Sequence, residues 1–439
     1  MSLPSGLSFA QAPPITVPFR FFLSAPLFAL LAALLALWFG PSLMDSRWQP
    51  SVLALTHLMT LGFLTMAMVG AMMQMLPVIA GSPVAHAVGV ARTVHLLLVP
   101  GVLFLAGGFL WGWPWPMRLA MALLGGGLLV FAIAVGVSLM RAASDNPTVI
   151  GMRFALAALA ATATLGLILV SNFSWKWWLV GWMRVTNLHL TWGLLGWVGL
   201  LVIGVSYQVV PMFQLTPAYP KLLTRWLARA LFALLLLWSA LWLLPEAKAQ
   251  EQAALAVGLA AVAVLAAFAL ATLRLQSQRR RKQSDVTLLF WRFGMASLLL
   301  ALVLGVAGQA MRVAGNAPGE NFMAAFLFIA GFAVSVVNGM LYKIVPFLIW
   351  FHLQSLLMGV AKVPNMRQIM PEPGMRRQMW LHFLAVPLLS LSALWPPLIY
   401  PAALLFGASM VLLEFNLMSA FRVYRKHAKL APKTDPQIT

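Results

Sequence analysis

Along most of this chain, apolar residues neither alternate with polar ones nor recur on one helical face. They run together for about twenty positions, the length an α-helix needs to cross a hydrocarbon core roughly 30 Å thick. Polar residues gather in the short intervals between runs. A helix satisfies its own backbone inside a bilayer, so each run reads as a span. The pattern predicts spans over roughly 20–40, 52–79, 91–111, 116–140, 149–171, 187–213, 223–244, 252–273, 288–311, 322–350, 379–395 and 398–421. The expected fold class is therefore all-α, a polytopic membrane protein of about twelve transmembrane helices in a single membrane domain over 1–439. Met1 to Pro18 is neither basic nor followed by a small-residue cleavage site, so no cleaved signal peptide is expected.

The spans are not independent of one another. Span 2 carries Gly62, Gly70 and Pro77, span 6 carries Gly196, Gly204 and Pro211, and span 10 carries Gly331, Gly339 and Pro346. Each triplet reads G-x7-G-x6-P, and the copies lie 134 and 135 residues apart. Gln74 corresponds to Gln208 and Lys343, and Tyr207 to Tyr342. Four spans fit each period, which predicts three pseudo-symmetric four-helix repeats over about 20–140, 149–273 and 288–421. Small residues let helix backbones approach closely, and a proline inside a span frees a carbonyl one turn back. Spans 2, 6 and 10 are thus expected to form an inner ring of three parallel helices.

Composition adds the orientation. The chain has 439 residues, 62% hydrophobic and 9% charged, with a net charge of +20. So basic a chain suggests nucleic acid, but the basic residues sit at alternate helix ends. With the N-terminus inside, 22 of them fall in inner segments against six outside (Arg47, Arg118, Lys176, Arg184, Lys248 and Arg312), with Lys343 left within a span. The positive-inside rule then predicts N-in and C-in topology in a bacterial inner (plasma) membrane, with the lipid bilayer as partner and no nucleic acid. The run Arg279–Lys282 reads as a solvated loop drawn to anionic lipid, 422–439 as a basic cytoplasmic tail, and Trp175–Arg184 (WKWWLVGWMR) as an interfacial aromatic anchor.

The chain has no cysteine, so disulfides, thiolate sites and iron–sulfur clusters are excluded. A metal or haem must use His, Met, Tyr or carboxylate. Ionisable groups inside spans are costly and are functional candidates by default. His57 opens span 2, 20 residues before the repeat proline, and His189 opens span 6, 22 residues before its own. Two residues turn a helix by about 200°. The two imidazoles therefore leave opposite flanks and face each other across one gap, an arrangement that suggests a six-coordinate haem. Two structural histidines or another metal are the competing readings. Span 2 is rich in methionine (Met59, Met66, Met68, Met72, Met73 and Met75), which fits ordinary packing and also a copper path. Lys343 and Glu414 are the deepest other charges, read as a buried ion pair or as ends of a proton path. His352, His382 and His95 read as interfacial, near the cytoplasmic surface.

HLMTLGFLTMAMVGAMMQMLPVIAG (57–81) resembles the second helix of subunit I of the haem-copper oxidases, a family that includes the nitric oxide reductases. The resemblance implies a cytochrome c oxidase subunit I-like fold of twelve helices with three-by-four pseudo-symmetry and cytoplasmic termini. Span 10 begins NFMAAFLF, with Ala324 and Phe326 where that family has its two haem-ligand histidines, and the copper-site histidine pair and the H-P-E motif are absent. Oxygen reduction is therefore not expected, and whether the chain is an enzyme stays open. What carries over is a haem b held by His57 and His189, one repeat further round the ring. Arg47 and Arg184 are the outer arginines suited to its propionates. Electron transfer or a redox role related to NO or O2 would follow, with a periplasmic electron donor as partner. A membrane transporter or copper permease using the Met-rich span 2 is the alternative.

Overall fold

The computed structural model describes residues 13–143, 145–177, 181–244, 248–280, 283–315, 320–358 and 361–431. Arg281 and Lys282 of the basic run, part of the Trp-rich stretch, and the end of the expected tail lie outside the described residues. The described residues are mostly helix, with short connections and no strand among them. Eleven helices are long and apolar enough to cross a membrane, which makes this a multi-pass membrane protein. They are α1 (Thr16–Met44), α2 (Pro50–Ala80), α3 (Ala87–Trp111), α4 (Pro114–Arg141), α5 (Pro147–Trp175), α6 (Trp182–Gln214), α7 (Lys221–Trp242), α8 (Lys248–Ser277), α9 (Val286–Val313), α10 (Phe322–Leu356) and, last in the chain, Pro396–Ala428.

The expected span 379–395 is different. It falls on α11, Glu372–Leu391, whose first turns hold Glu372, Arg376 and Arg377, so its apolar part begins only at Met379. The last helix, Pro396–Ala428, is therefore α12, and it continues as helix through Arg422, Arg425 and Lys426, where a tail was expected.

Local chemistry sets the ends. Asn146 caps α5 by accepting the Thr148 amide, with Pro147 in the first turn, and Asp285 caps α9 through the Leu288 amide. Gly81 and Gly112 close α2 and α3 in the left-handed conformation.

Three helices share a feature that composition does not announce. Leu58–Thr65 in α2, Trp192–Leu200 in α6 and Leu327–Val334 in α10 are π-helical. Each segment contains the first glycine of its triplet. Both glycines of each triplet lie against a single preceding helix. Gly62 and Gly70 pack on Phe28 and Phe21 of α1, Gly196 and Gly204 on Ala158 and Gly151 of α5, and Gly331 and Gly339 on Ser297 and Phe290 of α9. Beyond them, Met68 and Met72 of α2, Val202 and Val205 of α6, and Val337 and Met340 of α10 surround a small apolar cavity of about 70 Å³. The Met-rich face of α2 is thus largely packed: Met59, Met66, Met68, Met72 and Met73 are all buried.

Two expectations are corrected. Lys343 pairs with Asp285, Nζ to Oδ2 at 2.9 Å, and not with Glu414. Asp285 lies in the loop entering α9, where Lys343, in the second half of α10, reaches it. Burial opposes ionisation of Asp285, but the Lys343 ammonium and the Leu288 amide outweigh it and hold the carboxyl below the usual range. That depressed value contributes stability above pH about 4, lost as pH falls through the folded-state value. Exposed pairs are worth about 0–1 kcal/mol, and breaking a buried one costs about 3–5. With the two side chains 25% and 22% exposed, Lys343→Ala should cost about 1–3 kcal/mol. A thermal melt at neutral pH and again near pH 3 checks both the cost and its disappearance in acid.

His382 is not interfacial. It is fully buried on α11, with Nε2 2.9 Å from Ser335 Oγ of α10 and its ring against Phe290 and Phe406. The side of α11 that carries it faces the bundle.

A two-histidine cavity at the head of the bundle

The end at which α2, α6 and α10 begin contains a cavity of about 960 Å³, near the upper limit of ordinary ligand pockets. Its walls are mostly carbon, drawn from all twelve helices α1 to α12, and His57 and His189 are its two imidazoles.

The rings of His57 and His189 lie 6.1 Å apart between centres, with their planes 24° from parallel. Each is tied at Nδ1 to a backbone carbonyl. His57 Nδ1 is 2.7 Å from Leu53 O, one turn earlier on α2, and His189 Nδ1 is 3.0 Å from Thr162 O on α5. A carbonyl only accepts, so both Nδ1 atoms carry the proton and both Nε2 atoms keep a lone pair. Neither Nε2 has a hydrogen-bond partner among the described residues. Outer-shell bonds of this kind set the tautomer and ring direction of metal-binding histidines.

The spacing fits one metal between two rings. With metal–nitrogen bonds of about 2.0–2.1 Å and a ring radius of about 1.1 Å, two imidazoles on opposite sides of one ion place their centres about 6.3 Å apart. No group of three or more His, Asp or Glu that could hold a bare metal ion occurs among the described residues. Two nitrogens and a large carbon-lined cavity instead suit a group that brings its own equatorial ligands.

The ring of His189 has room because α5 offers no side chain there. A Cβ on Gly166 would stand 2.9 Å from His189 Cε1. Gly166 lies one turn from Thr162, so α5 both orients the ring and clears its path. Gly166→Ala should therefore tilt the ring and weaken retention of any bound metal group roughly 10–100-fold, as loss of an outer-shell partner does. The absorption spectrum and metal content of the purified variant check this, with the fold monitored separately by melting. Phe109 closes the other side, 5.4 Å from the His57 ring.

The cavity mouth is polar. Arg47 lines it, with its guanidinium 3.2 Å from Asn187 Oδ1 of α6 and 4.3 Å above the Trp48 ring, while its backbone amide donates to Glu320. Arg184 does not line the cavity; its guanidinium lies over Trp242, 5.7 Å from the ring centre. Arg312, at the end of α9, lines the mouth instead. Counted only as one of six outer basic residues, it carries no sequence signal that separates it from the others. Lys343, His352, His382 and Glu414 lie outside the cavity lining. No protein-family model matches the chain, and no curated protein matches it.

Proposed function

We propose that this chain is a haem-binding electron-transfer protein of a bacterial inner membrane. In this reading it has twelve helices in three four-helix repeats, both termini are cytoplasmic, and a haem b lies between His57 and His189. The observation that carries the reading is the pair of rings 6.1 Å apart, each anchored at Nδ1 and free at Nε2. The π-helical segments and paired glycine contacts, recurring in α2, α6 and α10, support the repeats.

Held by His57 and His189, such a group would supply one-electron exchange. The chain does the rest. Leu53 and Thr162 fix the two imidazoles, and Gly166 and Phe109 set the space around them. Arg47 and Arg312 offer cationic partners for carboxylates at the mouth, where a periplasmic donor would dock. The carbon walls exclude water, which limits solvent rearrangement as charge changes. With both His57 and His189 holding it, the group would supply electron transfer rather than NO or O2 chemistry.

A reduced-minus-oxidised spectrum with haem and metal analysis of the purified protein tests this. A low-spin haem b spectrum and one iron per chain are expected. Colourless protein from haem-sufficient cells rejects the reading, and stoichiometric copper without haem favours the permease alternative.

A further inference from the structure

The cavity does not end at the two imidazoles. Its lining runs on past α6 to Leu234, Leu235 and Trp238 of α7, Gly258 and Ala261 of α8, and residues of α9 and α10, and we term this part of the cavity its second lobe. This lobe stands between α6 and α10 as the histidine lobe stands between α2 and α6. Thr191 lies 20 residues before Pro211, as His57 does before Pro77, and Ala324 lies 22 before Pro346, as His189 does before Pro211. Both line the cavity. A methyl and a hydroxyl thus occupy the places of the two imidazoles, and the hydroxyl already donates to Asn187 O at 2.7 Å. Nothing there can ligate a metal.

The walls say what the lobe can take. The residues contributed by α7 and α8 include no ionisable group. The Trp238 indole nitrogen is buried in the wall and does not face the open space. Against the α7 and α8 walls, away from Arg312 and Glu320 at the mouth, charged ligands would lose their hydration without compensation. Hydrocarbon loses nothing, and apolar cavities of this kind bind apolar guests.

A route in is also present. Gly258 of α8 and Gly305 of α9 both line the cavity, and Gly305 is exposed. A Cβ on Gly305 would meet nothing within 4 Å, and one on Gly258 would meet only the Trp238 ring edge at 3.9 Å. At these two glycines no side chain stands between α8 and α9, and both lie within membrane-spanning helices.

We infer that this lobe is a binding site for a hydrocarbon chain drawn from the bilayer through the Gly258–Gly305 seam. The chain is the acyl tail of a phospholipid or the isoprenoid tail of a lipid-soluble carrier; both present the same chemistry to these walls. The inference rests on the cavity alone and is independent of what His57 and His189 hold.

Native mass spectrometry of the full chain, after exhaustive detergent exchange, tests it, with extraction and identification of whatever stays bound. Wild type is expected to retain a molecule bearing such a chain, and its mass tells phospholipid from isoprenoid. Ala261→Phe, which fills the lobe, is expected to lose it. Gly305→Phe, at a position with free space and no fold cost, is expected to block its exchange for deuterated lipid. Wild type that retains nothing, or filled and blocked variants that bind and exchange as wild type does, overturns the inference. If Ala261→Phe does not fold, the Gly305→Phe exchange experiment decides alone.

Discussion

If the proposed haem is bound, replacing either His57 or His189 by alanine is expected to remove its low-spin spectrum. These are the two imidazoles in the cavity lining, with Phe109 beside His57 and Gly166 beside His189. Disturbing an outer-shell partner typically costs about 10–100-fold in metal affinity, so losing the ligand itself should cost at least 100-fold. The control is His382→Ala. His382 is fully buried, its Nε2 is bonded to Ser335, and it lies outside the cavity lining. That variant should lose stability and keep the spectrum. Retention of the full signal in both His57→Ala and His189→Ala would end the cofactor proposal while leaving the helical scaffold untouched.

The second large effect is on packing. Where α5 crosses α6, a Cβ on Gly151 would stand 2.5 Å from Gly204 Cα, and one on Gly204 would stand 2.9 Å from Gly151 Cα. Both neighbours are backbone, so no rotamer change relieves the overlap and the helices must separate. Overpacking a well-filled interior costs about 1–3 kcal/mol, and more where backbone has to move. Gly204→Leu is expected to lie at or beyond the top of that range, lowering the thermal midpoint of the detergent-solubilised protein by many degrees. Gly204→Ala should cost less, with the same sign. Gly305→Ala adds the same methyl into open space and should leave the midpoint unchanged. A wild-type midpoint for Gly204→Leu would show that the two backbones do not meet.

Much of this architecture is written in the spacing of a few residue types. Long apolar runs locate the spans because nothing else needs twenty such residues together. The glycine triplets pick out α2, α6 and α10 because close helix contact demands small residues at fixed positions, and it is at Gly62, Gly196 and Gly331 that the neighbours press in. The two histidines were identifiable because so few ionisable groups enter spans at all.

What stayed hidden depends on partners distant in sequence or on backbone detail. A π-helical turn has no residue signature, so three of them went unread although the glycines inside them did not. Asp285 sits in a loop, and only the fold brings it to Lys343. His382 looked interfacial because basic residues precede it on α11, yet its own face turns inward. Arg47, Arg184 and Arg312 are indistinguishable as outer arginines; the path of each chain end decides which reaches the cavity mouth.

The mixed character of α11 has a consequence for how the protein is made. Basic residues near the centre of a span each cost about 2.5–3.5 kcal/mol during insertion. Arg376, Arg377 and His382 leave α11 with too short an apolar stretch to be released into lipid on its own. Its polar face is matched from both sides: Ser335 of α10 meets His382, while on α12 Ser409 accepts from Gln378 and Asn416 lies against Gly374. We expect α11 to enter the bilayer together with α12, as a hairpin. Biogenesis of the last third of the chain is in this sense cooperative, and a nascent polypeptide halted before Pro396 would strand α11 at the membrane surface.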